Sequence, residues 1–320
     1  MLNAQVRILH RAARKLDLVT QRTFGLGFYA PAGFVIDPTA IDRAVHRLSE
    51  LGHRVVVDPT CSTRWQRFSA TDYERLAALA RMAADPRVDI AIAARGGYGW
   101  SRLLDRIDFA EIARTGKRWM GHSDFTAFQL AALAHAELTT FAGPMAGYDF
   151  GAEIPSAFTL DHCWGVLGAT RYEIGCKLDG PDFVGDGVLW GGNLAMIAHL
   201  VGSPHMPRVD DGILFLEDVG EHPYRIERML YQLHHAGVLV RQRAILLGDF
   251  SGYELGPNDN GYDAAAMVAH IRALIDVPLY TGLPFGHCPE KLTLPVGGRC
   301  SLRVRDARAE LVLSDYAVRR

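Results

Sequence analysis

Residues 120–126 of the chain read MGHSDFT, a turn of small and polar residues holding one serine, Ser123, between an apolar run and a helix-like pattern. A hydroxyl placed there can act as a nucleophile projected from a tight strand-to-helix turn. The following amide, that of Asp124, then sits at a helix N-terminus and can stabilise an oxyanion. Serine is also a favoured helix N-cap. The stretch is not a GxSxG match, because Phe125 stands two residues after the serine. The choice rests on what the rest of the chain brings, since a serine nucleophile needs a base and the base needs an orienting acceptor.

Of 13 histidines, most must serve structure or surface. His135, His199 and His270 lie on helix patterns, and His234 and His235 end a helix, where a cation suits the dipole. His287 differs. It stands in LPFGHCPEK, directly after an apolar run and beside Gly286, where an exposed and stiffly held side chain is expected. Glu217 closes the apolar run GILFLE next to Asp218, and a carboxylate at a strand end needs a partner. Each of these residues, alone, also reads as a satisfied loop residue. RGGYG supplies Gly96, Gly97 and Gly99, which let a backbone approach a ligand closely. It lacks both GxGxxG and a GK[ST] ending, so nucleotide binding has little support. HExxH is absent, and neither Glu221-His222 nor His234-His235 has a spaced third ligand, so no metal is implied. Cys288 beside His287 is a poor thiol nucleophile, because adjacent side chains diverge.

Positioning these residues requires a scaffold, and the chain shows one. From residue 23, short apolar runs alternate with amphipathic stretches. The runs are TFGLGFYA, RVVVDPT, VDIAIAAR, KRWMGH and LTTFAGP. Asp37 and Pro38 read as the start of a helix that Gly52 ends, and Thr71 with Glu74 as a capping box ahead of a helix through about Ala84. Strands apolar on both faces and separated by helices predict a parallel sheet covered on both sides. Both glycine-serine loops would then lie beyond strand carboxyl ends, where such sheets bind ligands.

Around residues 148–185 the pattern loosens, so a linker is expected at 151–180, between a domain at 23–150 and another at 181–320. The second half alternates again, and its tail LTLPVGGRCSLRVRDARAELVL reads as hairpin strands turning near Gly298 and Ala307. The expected fold class is α/β, a parallel-sheet N-terminal domain with a smaller mixed α/β C-terminal domain. Lys plus Arg less Asp plus Glu is 34 − 36 = −2, which gives no reason to expect a nucleic-acid partner. Residues 1–22 form an N-terminal extension without the apolar core of a signal peptide, and no later run suggests a membrane span. Five scattered cysteines, never in a CxxC pair, suit a reduced cytoplasmic protein.

Taken together, RGGYG, GHSD, LWGGNL, FLED followed by YRIERML, and GLPFGH stand in the order and approximate spacing of the L,D-carboxypeptidases. These serine peptidases include the muramoyl-tetrapeptide carboxypeptidases and the microcin C self-immunity peptidases. The resemblance runs from about Leu26 to Leu313. It implies a flavodoxin-like N-terminal domain, with Ser123 as nucleophile, His287 as general base and Glu217 as its orienting acid. It also implies an oxyanion hole from the Gly97 and Asp124 amides, with Asn193 near the substrate pocket and Trp190 walling it. The chain departs from the pattern at His122, where an aromatic or aliphatic residue is expected. The implied reaction is release of the terminal D-alanine from a murein tetrapeptide in peptidoglycan recycling, by a homodimer without metal or organic cofactor. Two alternatives stay open: cleavage of a peptidyl or aminoacyl nucleotide, which Trp190 with Phe183 would favour, and a non-catalytic small-molecule binding protein.

Overall fold

The computed structural model describes residues 22–316; the N-terminal extension, apart from Arg22, lies outside them. Two sheets organise the fold. The elements of the first half run β1 (Gly25–Tyr29), α1 (Ala40–Glu50), β2 (Arg54–Val57), α2 (Asp72–Ala84), β3 (Ile90–Ala93), α3 (Phe109–Arg114), β4 (Arg118–Gly121), α4 (Phe125–Ala136) and β5 (Thr140–Ala142). Then follow α5 (Ala157–Gly168), β6 (Tyr172–Lys177), β7 (Phe183–Asn193), α6 (Leu194–Leu200), β8 (Gly212–Glu217), α7 (Pro223–His235), β9 (Gln242–Leu247) and α8 (Ala264–Leu274). The chain closes with β10 (Leu279–Thr281), β11 (Leu294–Val296), β12 (Arg299–Arg305) and β13 (Arg308–Ser314).

The first sheet has the order β11-β5-β4-β3-β1-β2. Its five parallel strands follow the 2-1-3-4-5 order of flavodoxin-like sheets. β1 and β3 are buried at every position, as strands covered on both faces should be. The second sheet, β10-β9-β8-β7-β12-β13-β6, is parallel from β7 to β10 and antiparallel from β7 through β12 and β13 to β6. β12 alternates exposed and buried residues, the mark of a strand with one solvated face. The architecture is therefore the expected α/β class with a parallel N-terminal sheet.

Local details differ from the sequence reading. The Thr71–Glu74 capping box forms as expected. The first helix instead starts at Ala40, because the Asp37 carboxylate accepts from the Thr39 amide and holds a turn ahead of it. The stretch expected to be a linker carries the twelve-residue α5 and the strand β6. The three glycines and three aspartates of LDGPDFVGDG hid the start of β7, an eleven-residue strand whose beginning is half-exposed. The tail does turn at Asp306 and Ala307, both at positive φ. β11, however, pairs with β5 in the first sheet rather than with β12.

Candidate active site

Ser123 follows β4 at its carboxyl end and has φ +63, a left-handed backbone that residues other than glycine adopt at a cost. It does not cap the helix. The N-cap of α4 is Asp124, which makes no side-chain capping bond. The Ser123 carbonyl accepts from the Thr126 amide at 2.9 Å and the His122 carbonyl from that of Phe125 at 3.2 Å. The turn is thereby closed and the hydroxyl projects from its apex.

The hydroxyl points at His287. Ser123 Oγ lies 3.0 Å from His287 Nε2, and His287 Nδ1 lies 2.7 Å from Glu217 Oε2. Glu217 ends β8 with no exposed surface. Its expected partner is His287. Gly286 makes that approach possible: at φ +141, a Cβ there would stand 2.9 Å from Asp249 Cβ and 3.3 Å from Glu217 Cβ. The His287 side chain is 21% exposed, less open than its loop suggested. Burial opposes a charge on this ring, but the Glu217 hydrogen bond and then its charge more than offset that. The imidazole pKa is raised above its ordinary 6.5.

His122, the departure from the family pattern, does not compete as base. It is buried, its Nδ1 is 2.9 Å from the Gly143 carbonyl, and its ring meets that of His287 edge-on at 5.4 Å. Burial, then the charges of Lys291 and His287, push its pKa well below 6.5, so it stays neutral.

The glycine loop lies against the serine. A Cβ on Gly96 would sit 2.9 Å from Ser123 Cβ, and Gly97 has φ +102. Among the described residues, neither the Gly97 nor the Asp124 amide has an acceptor, so both stay available. The buried Asp124 carboxylate accepts from the Trp100 amide at 3.0 Å, while buried Arg75 donates to the Gly99 carbonyl at 3.1 Å. These two side chains hold the Gly99–Trp100 peptide, which closes the loop, from its two sides. Burial, set against the Trp100 bond, raises the Asp124 carboxyl to about 6.

Asn193 lies beside the strand end that carries Glu217, with its side chain engaged in structure, whereas Trp190 is not where the resemblance implied. The Asn193 side chain caps α6 through the Met196 amide and donates to Asp218 Oδ1 at 2.9 Å, which uses both ends of the amide for structure. Trp190 is 1% exposed and donates its indole N–H to Gln242 Oε1 at 2.8 Å. It belongs to the interior and walls no open pocket. The LWGGNL motif has another use. The Asn193 amide donates to Thr126 Oγ1 at 3.0 Å, and a Cβ on Gly192 would stand 2.4 Å from that oxygen. Asn193 also pairs in register with Glu217. A short path of contacts thus joins the first turn of α4, next to Ser123, to the strand carrying Glu217.

Sequence reasoning missed Lys291, four residues after His287. It is fully buried and paired with Asp149 at 2.5 Å. Its place directly before the largely apolar run LTLPV was the available signal, since a lysine drawn into the interior there needs a counterion.

A parallel sheet with a serine at a strained strand-to-helix turn, beside a histidine bonded to a buried carboxylate, is the arrangement of a serine hydrolase. Comparison with known proteins narrows this class. The sequence profile of the LD-carboxypeptidase N-terminal domain matches residues 26–143, and that of the LD-carboxypeptidase C-terminal domain residues 186–302. A murein tetrapeptide carboxypeptidase of Pseudomonas aeruginosa is 30% identical over 277 residues, 82% of this chain and 86% of that protein. The crystal structure of muramoyltetrapeptide carboxypeptidase from Oxalobacter formigenes is 44% identical. It superposes with a TM-score of 0.86 over 91% of this chain and 99% of that one. The microcin C7 self-immunity protein MccF shares the fold, with 22% identity and a TM-score of 0.82 over 92% of this chain and 98% of its own. The chain belongs to the LD-carboxypeptidase family.

Proposed function

We propose that the protein is a serine carboxypeptidase that removes the terminal D-alanine from a murein tetrapeptide, with Ser123 as nucleophile, His287 as base and Glu217 as orienting acid. The observation that carries the reading is the unbroken Ser123–His287–Glu217 hydrogen-bond chain at 3.0 and 2.7 Å. His287 Nδ1–H donates to Glu217, leaving Nε2 to take the Ser123 proton as Oγ attacks the carbonyl. The Gly97 and Asp124 amides hold the oxyanion, and the imidazolium, stabilised by Glu217, protonates the leaving amine. Water then releases the acyl group by the reverse path. On this reading a nucleophile domain at 23–150 faces a second at 181–320 that supplies acid and base. The protein works as a cytoplasmic homodimer, a state that all five cysteines, unpaired, would suit.

Two features weigh against the alternatives. Phe183 and Trp190 are seven residues apart along β7, about 23 Å at roughly 3.3 Å per residue. They cannot flank one nucleotide base. A binding protein has no need of a histidine aligned between a serine and a buried carboxylate. The test is mass spectrometry of murein tetrapeptide incubated with wild-type protein and with Ser123→Ala. Loss of one D-alanine with wild type alone is expected; cleavage by the variant near the wild-type rate refutes the assignment.

A further inference from the structure

In an open parallel sheet the ligand crevice opens where the strand order reverses, here between β1 and β3. The loops after these strands, 30–36 and 94–99, are joined by the Gly33 amide donating to the Gly96 carbonyl at 2.9 Å. Arginines gather there. Arg95 donates Nη1 to the Phe34 carbonyl at 2.7 Å, with its guanidinium 5.7 Å from the Phe34 ring. The Arg64 guanidinium stands 4.9 Å from the same ring. Arg67 projects from an exposed turn whose Phe68 pairs with Gly33. After burial, its like charge helps to lower the Arg95 pKa, so the two cations feel each other. Among the described residues none of the three forms a salt bridge with a carboxylate, whereas Arg43, Arg75, Arg81, Arg87 and Arg102 each do. The Asp124 charge reaches Arg67, but among the described residues no carboxylate is paired with any of the three. Like charges held together in this way repel, and an anionic ligand relieves that repulsion.

The hydrolysis proposed above has a use for such a group. A carboxypeptidase must tell a chain end from an interior bond, and the chain end carries a carboxylate. Lys291 cannot receive it, being buried and already paired with Asp149. We propose that Arg64, Arg67 and Arg95 form the subsite that binds the substrate's C-terminal carboxylate. The inference rests on the carboxypeptidase reading. Its position suits the task, because Gly96, next to Arg95, lies against Ser123. Trp65 and Tyr98, both exposed, each pack against Phe68, the neighbour of Arg67, with ring centroids 6.0 Å apart.

The experiment compares kcat/KM for murein tetrapeptide with that for the same peptide ending in D-alaninamide, using wild type, Arg67→Gln and Arg67→Gln/Arg95→Gln. Charge-assisted contacts of this kind predict a wild-type preference for the acid of roughly 10- to 100-fold. In the variants the ratio falls toward one, mainly through a raised KM for the acid. Arg95→Gln also removes a bond to the loop, so Arg67, which holds no such bond, is the decisive position. A wild type indifferent to amidation, or an Arg67→Gln variant with the wild-type ratio, overturns the subsite. If Ser123-dependent cleavage continues in that case, the hydrolase reading survives. If wild type cleaves neither peptide, both readings fall.

Discussion

Replacing Ser123 by glycine should leave an inactive protein that is more stable than the equally inactive Ser123→Ala. Both variants lose the hydroxyl and its 3.0 Å contact with His287, so that loss cancels between them. They differ in backbone. Ser123 has φ +63, and a left-handed conformation costs an L-residue about 1–2 kcal/mol that glycine escapes. Glycine gives back about 0.5–1 kcal/mol in the greater freedom of the unfolded chain. The net gain is about 0.5–1 kcal/mol. For 320 residues, with an unfolding entropy of about 2.1 cal/mol/K per residue, this raises Tm by about 1 °C. Differential scanning calorimetry resolves such a shift when the two variants run side by side. Glu137 calibrates it: this exposed residue ends the same helix at φ +48, so Glu137→Gly against Glu137→Ala should show a gain of similar size. A Ser123→Gly protein that melts below Ser123→Ala, while the Glu137 pair behaves as expected, would refute strain at the elbow.

The remaining predictions concern charge. Since His287 must be neutral to accept a proton and its pKa is raised by Glu217, the acid limb of kcat/KM should lie above pH 6.5. Glu217→Gln should move that limb to lower pH and reduce kcat by about 10³–10⁴-fold; an unmoved limb in the pH–rate profile counts against the pairing. Lys291→Met strands the Asp149 carboxyl in the interior and should cost about 3–5 kcal/mol in denaturant unfolding. The double change Lys291→Met/Asp149→Leu should recover most of it, and a double variant no more stable than the single would argue against an uncompensated charge. Burial raises Asp124 from its ordinary 3.8 to about 6, so the folded state holds this proton more tightly than the unfolded state. Its contribution is complete below about pH 3.8 and declines as pH rises through about 6. Asp124→Asn should flatten that part of the stability–pH curve, which unfolding midpoints from pH 4 to 7 will report.

The strand and helix alternation was legible because each parallel strand is an apolar run and the helices carry their own start and stop residues. Thr71 with Glu74 announced a helix that forms as written. The Ser123 question could not be settled locally, since a serine that caps a helix and one that turns an elbow use the same neighbours. Only φ separates them, and φ here is imposed by packing of Gly96 and closure of the turn. Ser123, Glu217 and His287 were each identifiable as chemistry-bearing residues, but they are 70 or more positions apart, so their meeting depends on tertiary structure. Trp190 was misjudged because a large aromatic beside glycines looks the same whether it faces a cleft or fills the interior. β11 was misassigned because a three-residue apolar run carries no information about which sheet it joins.

That last strand has a consequence for any attempt to divide the protein. After β10 the chain leaves the second sheet, passes through the His287 loop, and enters the first sheet as β11 against β5. It returns at once, with the Gly297 amide donating to the Leu189 carbonyl of β7 at 2.8 Å. The loop carrying His287 is therefore stitched at both ends, one in each sheet. Pulling the sheets apart would drag on the histidine before it freed the serine. A fragment cut before β6 would expose the hydrogen-bonding edge of β5, an open template for pairing with other chains. The residues that complete the nucleophile's own sheet arrive last, from the far side of the sequence, so the first half can be finished only when nearly all of the second has been made.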